Sequence, residues 1–466
     1  MDCDALTSYW ECSARFERYR GDLGGWRQVF SEIINVKVVE GEDWDFRGVD
    51  TRYMTHGLHP YPARMIPQVA GRLLRRYASR GDVVLDPFCG SGGVLVEARL
   101  AGMHSVGVDI NPLACLLAEV KSNPLSPDVI WSYWSKLKVA MGNDVRAFKF
   151  REIKSVELPD FSGTNIEYWF KPATMMELAI IRKHLEDVED ERVRKFFDVC
   201  FSLTVREVSG TRKGEFKLYR MPKEEWEKYF PDVFGVFVKH VEDAARKMGE
   251  FYNACDKSVF SRVFMADTRD MLTERFPRDA NELLLSMPPK IIVTSPPYGD
   301  SRTTVAYGQF SRLSSLWLNF EKGFDKKTIM KVDEMSLGGR LGEISKLDLP
   351  TLNMTLEAIS KSDGRRAMEC ASFFLDLYKC LENMYRCLKE DGYCCIVVAN
   401  RTMKRVQVPT HIIIAEMGVQ VGFKNDVTII PRTIPSKRLP WENAPENIPG
   451  LKGKTMSKEN IIIMKK

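Results

Sequence analysis

Apolar residues along this chain fall into two alternating patterns. Short runs of β-branched residues bounded by turn residues read as buried strands. Longer stretches with apolar residues three and four apart read as amphipathic helices. Val83-Val84-Leu85 is such a strand, set after the turn Gly81-Asp82. Ser105 to Val108 is a second, ending in Asp109. Val263 to Ala266, ending in Asp267, and Ile291-Ile292-Val293 continue the series, followed by Tyr393 to Ala399, Val427 to Ile430 and Ile461 to Met464. Helical periodicity predicts helices from Ile66 to Tyr77, Val94 to Leu100, Met175 to Val188, Glu191 to Leu203 and Ala371 to Leu388. Strand and helix alternate over 51–125 and again from 261 to the end, so the expected class is α/β with a mostly parallel sheet. The alternation lapses over 126–260, where Trp131, Trp134, Trp169 and Trp226 sit among charged helical patterns; this reads as a helical insertion. A second insertion is expected at 320–366. Residues 1–50, with Tyr9, Trp10, Phe16, Tyr19, Trp26 and Phe30 irregularly spaced, read as a helical extension.

Two loops interrupt this pattern in ways that suggest chemistry. The strand Ile291–Val293 stops at Thr294-Ser295-Pro296-Pro297-Tyr298. Two prolines remove two backbone donors and fix φ, so neither strand nor helix continues. Their carbonyls can then face a ligand, beside the Ser295 hydroxyl and the flat face of Tyr298. Rigid acceptors next to a stacking surface suit a planar amine such as a nucleobase edge. The plain alternative is a turn leaving a core strand.

The other loop is Asp86-Pro87-Phe88-Cys89-Gly90-Ser91-Gly92-Gly93, between a strand and a helix. A glycine loop after one strand and an acid, Asp109, after the next is the arrangement in which backbone approaches a ligand and the acid takes ribose hydroxyls. The glycine spacing is not the dinucleotide fingerprint, and no Gly-Lys-Ser/Thr is present for phosphates. A ligand with a ribose and no pyrophosphate fits, and S-adenosylmethionine meets that description. Asp86 and Asp267 equally suit helix N-caps.

Composition narrows the class. The chain has 466 residues, 44% of them hydrophobic. No apolar run reaches the ~18 residues of a membrane span. The segment Met1-Asp2-Cys3-Asp4 does not read as a signal peptide. Eleven cysteines without regular spacing suggest reduced thiols in a cytoplasmic protein, with no zinc site. Glutamine is scarce beside abundant Lys, Arg and Glu, a bias towards a thermophilic source. Net charge is only +5, so a surface for a polyanion must be local. The segment Arg206 to Arg220 concentrates Arg206, Arg212, Lys213, Lys217 and Arg220 with Phe216 and Tyr219. It reads either as a solvated loop or as a phosphate-contacting one.

At this point the motifs together resemble those of S-adenosylmethionine-dependent amino-group nucleic-acid methyltransferases, the DNA methylase N-4/N-6 family. Asp86 to Gly92 is similar to the F-x-G-x-G cofactor motif, and Thr294 to Tyr298 to the catalytic motif in the Ser-Pro-Pro-Tyr form associated with cytosine-N4 methylation. His56 to Pro67 resembles the N-terminal cofactor-flanking motif; Asn400-Arg401 and the closing segment Ile434 to Met456 also resemble this family. The resemblance implies a Rossmann-like class I methyltransferase fold with a seven-stranded sheet and helical insertions. It implies Asp86, Phe88, Gly90 and Gly92 at the cofactor, Asp109 on its ribose, Asp267 at its adenine, and Tyr61 and Arg64 near its methionine end. It implies Ser295, Pro296, Pro297 and Tyr298 as the catalytic loop, with Asn400 and Arg401 on the substrate side. The expected substrate is DNA cytosine; structured RNA or adenine-N6 are the alternatives. A nuclease partner is neither required nor excluded.

Overall fold

A parallel strand covered on both faces must be apolar at nearly every position. Val83–Asp86 and Ile291–Thr294 are buried at all four positions, and they lie side by side in the middle of the protein. The structure is a computed structural model. It describes residues 35–152, 156–299, 305–318, 326–339, 347, 349–434, 442–443, 453–454 and 458–466. The aromatic N-terminal stretch up to Phe30, Ser301 to Thr304, Arg340 and most of Pro435 to Met456 lie outside the described residues.

The main sheet has eight strands. They are β1 (Asn35–Val38), β2 (Val83–Asp86), β3 (His104–Asp109), β4 (Ser261–Met265), β5 (Ile291–Thr294), β6 (Tyr393–Val398), β7 (Asp426–Thr433) and β8 (Lys458–Lys465). Across the sheet they run β1-β7-β8-β6-β5-β2-β3-β4. All neighbours are parallel except β8, which is antiparallel to both β6 and β7. Seven of the strands make the sheet expected from the sequence. The eighth, β1, lies in a stretch read there as helical; it adds to the β7 edge because Asn35 to Val38 pair in register with Asp426 to Ile429.

The chain leaves β2 towards β3 and β4 on one side and returns through β5 and β6 on the other. The boundary between β2 and β5 is therefore a topological switch point, where open α/β sheets bind ligands beyond the strands' carboxyl ends. Both loops singled out in the sequence begin there.

Alternation assigns the two faces. Val84, Ile291, Val293, Cys395 and Val397 pack under α1 (Pro67–Tyr77) and α2 (Gly93–Leu100), through Val69, Leu73, Leu74, Val94 and Ala98. Pro67 starts α1, where its missing N–H costs nothing. Leu85, Ile292, Cys394, Ile396 and Val398 face the opposite side. The adjacent cysteines of β6 thus point to different layers, and the nine described cysteines are all buried free thiols.

The insertion has its own core. After α3 (Pro112–Ser122) come α4 (Pro127–Lys149), α5 (Pro172–Glu186), α6 (Glu191–Val208) and α7 (Val233–Ala254), before the chain enters β4. Asp190 caps α6 and Asp232 caps α7, each accepting backbone N–H groups of the first turn. Trp134, Phe196, Phe197, Phe237 and Phe251 fill the space between them. This core does not close by itself. After α8 (Arg278–Ser286), helix α9 (Tyr307–Leu318) follows the Ser-Pro-Pro-Tyr loop and packs into the same cluster through Phe310, Leu313 and Trp317. Ser314 Oγ donates to the Ser202 carbonyl at 2.9 Å. The insertion and the half of the sheet that carries the Ser-Pro-Pro-Tyr loop are joined at that helix. Among the described residues no helix is long and apolar enough to cross a membrane.

The second insertion contains α10 (Lys326–Met335) and α11 (Pro350–Ser360), and leads into α12 (Gly364–Cys387). Helix α11 meets α13 (Thr410–Val421) through a buried acid. Glu416 accepts from the Thr351 N–H at 3.3 Å and from the Thr351 hydroxyl. Burial pushes its carboxyl from 4.5 up to about 7. A carboxyl raised on folding binds its proton more tightly in the folded state. Its stabilising effect is therefore complete below the unfolded value and is lost as pH rises through the folded one. Glu416→Gln is expected to be more stable than the parent on the alkaline side of neutrality, with the difference shrinking as pH falls. Urea unfolding midpoints of the two proteins, compared across that range, provide the measurement.

Candidate active site

The glycine loop is shaped by contacts that only glycine permits at one point. Gly92 has φ +80°, and a Cβ there would lie 2.7 Å from the Ala118 Cα on α3. Gly90 also has positive φ, and its N–H donates to Asp109 Oδ2 at 2.9 Å. The Asn111 N–H donates to Asp109 Oδ1 at 2.8 Å. An ionised carboxylate has about four acceptor sites. Two backbone bonds leave room for a pair of ligand hydroxyls. Burial raises the Asp109 carboxyl to about 6 despite those donors.

Asp86 is almost wholly buried. Its Oδ1 accepts from the Thr294 hydroxyl at 2.6 Å and from the Phe88 N–H at 3.2 Å, and burial raises its carboxyl to about 7. This bond crosses from β2 to β5 and ties the two loops together. Phe88 is partly buried against the layer of α12 and α13. Asp267 takes the capping role that its sequence position also allowed. It accepts the Arg269 N–H at 2.9 Å and faces the Arg269 guanidinium. Arg269 extends to Asp376 at 2.8 Å and to the Met335 carbonyl at 2.7 Å.

The N-terminal loop closes over the glycine turn. Asn111 caps α3 with its side-chain oxygen and donates its amide to Tyr61 Oη at 3.2 Å. Tyr61 stacks on Tyr307 with ring centroids 5.9 Å apart. Arg64 donates to the His56 carbonyl at 2.7 Å, and His56 Nε2 lies 3.0 Å from Glu97 on α2. Lys121, buried on α3, donates to the His59 carbonyl at 3.2 Å. Burial holds this amine well below its usual range.

Beyond β5 the chain turns through Ser295 to Gly299. Ser295 Oγ donates to the Val397 carbonyl at 3.0 Å and lies 3.3 Å from Tyr298 Oη. Tyr298 donates to Glu459 Oε1 at 2.8 Å. Pro296 is buried and Pro297 half-buried between them. Arg401, which begins a two-strand hairpin after β6, packs against Gly299; a Cβ on that glycine would collide with the guanidinium. Asn400 holds His411 Nδ1 at 2.8 Å through its side-chain oxygen.

The basic loop divides into two kinds of cation. Arg206 donates to the carbonyls of Phe310 at 2.8 Å and Glu215 at 3.1 Å and lies over the Phe310 ring. Burial lowers its guanidinium to about 10. Arg220 lies between the rings of Tyr168 and Trp226, at 4.0 and 4.3 Å. Lys213 donates to the Glu207 carbonyl and, at 3.0 Å, to Tyr229 Oη, and lies over the Tyr229 ring, while the residue remains exposed. Arg212 is exposed and Lys217 half-exposed. The ends of the loop pair through Thr211 and Arg220, and its Leu218 N–H donates to Gln309 of α9 at 3.4 Å. The loop is thereby fixed relative to the helix that follows the Ser-Pro-Pro-Tyr turn.

Sequence reasoning missed Asn111, Arg269 and Glu459, and it placed Thr294 in the motif without its bond to Asp86. Asn111 lies two residues beyond the singled-out Asp109, so position could have marked it. Glu459 and Arg269 are ordinary charged residues whose partners are distant in sequence.

Comparisons with known proteins place the chain among methyltransferases. Residues 22–120 match the family described as DNA methylase. The chain is similar to the type II methyltransferase M.MvaI of Kocuria varians, 35% identical over 437 residues, covering 90% of this chain and 93% of the relative. It is similar to the type II methyltransferase M.MjaII of Methanocaldococcus jannaschii, 25% identical, covering 64% and 68%. A tRNA (guanine(10)-N2)-dimethyltransferase of Methanothermobacter thermautotrophicus is 46% identical over 52 residues, 11% of this chain and 16% of the relative.

The Asp86–Thr294 bond generates a prediction. Thr294→Val keeps the shape but removes a donor to a buried carboxyl, at a cost of about 1–3 kcal/mol. The hydroxyl favours the charged form of Asp86, so the loss is expected to be larger on the alkaline side of Asp86's titration. Chemical unfolding on both sides of that value tests the sign.

Proposed function

The chain belongs to the N4/N6 DNA methylase family, and from that premise we propose that it transfers a methyl group to the exocyclic N4 amine of cytosine in DNA. Family members are methyltransferases that use S-adenosylmethionine. One observation carries the reading. Amine acceptors at the end of β5 and a glycine loop at the end of β2 adjoin across the Asp86–Thr294 bond. Donor and acceptor of a methyl group need such adjacent sites, since positioning supplies much of the catalysis.

The residues suit the cofactor on local grounds. Gly92 lets the loop turn tightly against Ala118 of α3, Asp109 offers acceptors for hydroxyls, and Phe88 and Tyr61 offer apolar faces. Gly90 lies beside the Tyr61 ring, and Asp86, Arg64 and Asp267 border the cofactor in this reading. When bound, the cofactor supplies an electrophilic methyl on sulfonium.

Cytosine N4 is a poor nucleophile because its lone pair is delocalised into the ring. Ser295 Oγ and the Pro296 carbonyl accept its two hydrogens and draw the nitrogen towards tetrahedral geometry. Pro297 stiffens the turn and Tyr298 stacks on the base. Asn400 and Arg401 line the substrate side. A base in duplex DNA must first leave the stack.

Mass spectrometry of nucleosides from DNA and RNA of cells with and without the gene is the deciding experiment. N4-methylcytosine in DNA is expected. N6-methyladenine instead, or modification confined to RNA, would overturn the assignment.

The loop from Arg212 to Lys217 is proposed to contact the DNA backbone. Replacing Arg212 and Lys213 by alanine should weaken binding to all sequences alike. It should flatten the salt dependence by about one unit of slope per lost contact. Arg206→Ala should lower the melting temperature instead, since Arg206 bonds protein carbonyls. DNA affinity over a salt series, with thermal melts, separates the two.

A further inference from the structure

A serine hydroxyl both donates and accepts hydrogen bonds. To draw a proton away from an amine it must accept, so its own proton must be occupied elsewhere. The surroundings of Ser295 determine that polarity. Tyr298 Oη lies 2.8 Å from Glu459 Oε1. A carboxylate only accepts, so the single Tyr298 proton goes to Glu459. Tyr298 Oη is then an acceptor towards Ser295 Oγ, 3.3 Å away. The Val397 carbonyl, 3.0 Å from the same oxygen, also accepts. Either neighbour can take the single Ser295 proton, and its lone pairs are left for a ligand.

Glu459 is itself held. It lies at the start of β8 and pairs with Arg432 of β7, whose side chain is 2% exposed. Arg432 Nε donates to the Trp44 carbonyl at 3.0 Å. The carboxylate can neither swing away nor turn its acceptor oxygens from Tyr298 without leaving a buried guanidinium unpaired, which is costly.

We infer that Glu459 is a positioning residue for methyl transfer: acting through Tyr298, it fixes the Ser295 hydroxyl as an acceptor for the target amine. The inference rests on the reading of Ser295 to Tyr298 as the amine-binding turn. It makes the polarity of that turn depend on a strand far away in sequence. If the Tyr298 proton were released from Glu459, it could turn to Ser295 and fill the lone pair the amine needs.

The test uses the full chain, labelled S-adenosylmethionine and unmethylated genomic DNA from cells lacking the gene. Glu459→Asp keeps the charge beside Arg432 but withdraws from Tyr298. It is expected to lower kcat by about tenfold, the scale of one lost hydrogen bond to a charged group, with KM for the cofactor unchanged. Tyr298→Phe removes the wayward proton and keeps the ring, so its loss should be smaller. The double variant should recover to the level of Tyr298→Phe alone, a coupling that a merely structural role would not produce. Full turnover in Glu459→Asp would overturn the inference, as would losses that multiply in the double variant. Ser295→Ala separates the two levels. If it loses turnover while Glu459→Asp does not, the inference alone fails. If it keeps full turnover, the reading of the turn fails with it.

Discussion

The bond between Asp86 and Thr294 joins the two central strands at the point where both loops leave the sheet. Two parallel strands end at the same level, and the chain leaves them in opposite directions across the sheet. A cleft at their carboxyl ends is the geometric result. A buried carboxyl there is unfavourable unless it is hydrogen-bonded. Thr294 and the Phe88 N–H meet that need and lock the glycine loop to the Ser-Pro-Pro-Tyr turn. Each loop alone would be free to shift by the ångström or so that methyl transfer cannot tolerate. Their common anchor is a pair of side chains inside the sheet.

The elements around that anchor act as braces. Asn111 joins Asp109, α3 and Tyr61 in one short network. Helix α9 then carries Tyr307 against Tyr61 and Phe310 into the core of the insertion. The insertion is therefore connected mechanically to both halves of the site. Its basic loop docks on the same helix through Gln309 and Phe310.

The strands and the two loops were legible in the sequence for a physical reason. Buried parallel strands are apolar at nearly every position, and glycines and prolines mark where the backbone does something a general residue cannot. Val83 to Gly92 and Ile291 to Tyr298 show both signals within a few residues of each other. Strand β1 was not legible, because Asn35 to Val38 is an edge with three exposed positions and lacks the buried pattern. The two-way division of the basic loop was equally hidden. Arg206 and Arg212 look alike in a list of cations, yet one is spent on carbonyls of Phe310 and Glu215 while the other faces solvent. Only the position of Phe310, a hundred residues later, separates them.

Among the described residues some charges are matched in surface pairs, such as Arg246 with Asp243 and Glu250, and such pairs contribute little to stability. Cations folded inward, such as Arg269 between Asp267 and Asp376, Arg432 on Glu459 and Arg206 on its carbonyls, have no field to spare. Arg212 and Lys217 of the basic loop, by contrast, lie towards solvent. Phosphate contacts set register rather than sequence choice. In the proposed reading, exposed cations on a loop docked to α9 would hold the DNA backbone at a fixed position relative to Ser295, which charge spread over the whole surface would not do.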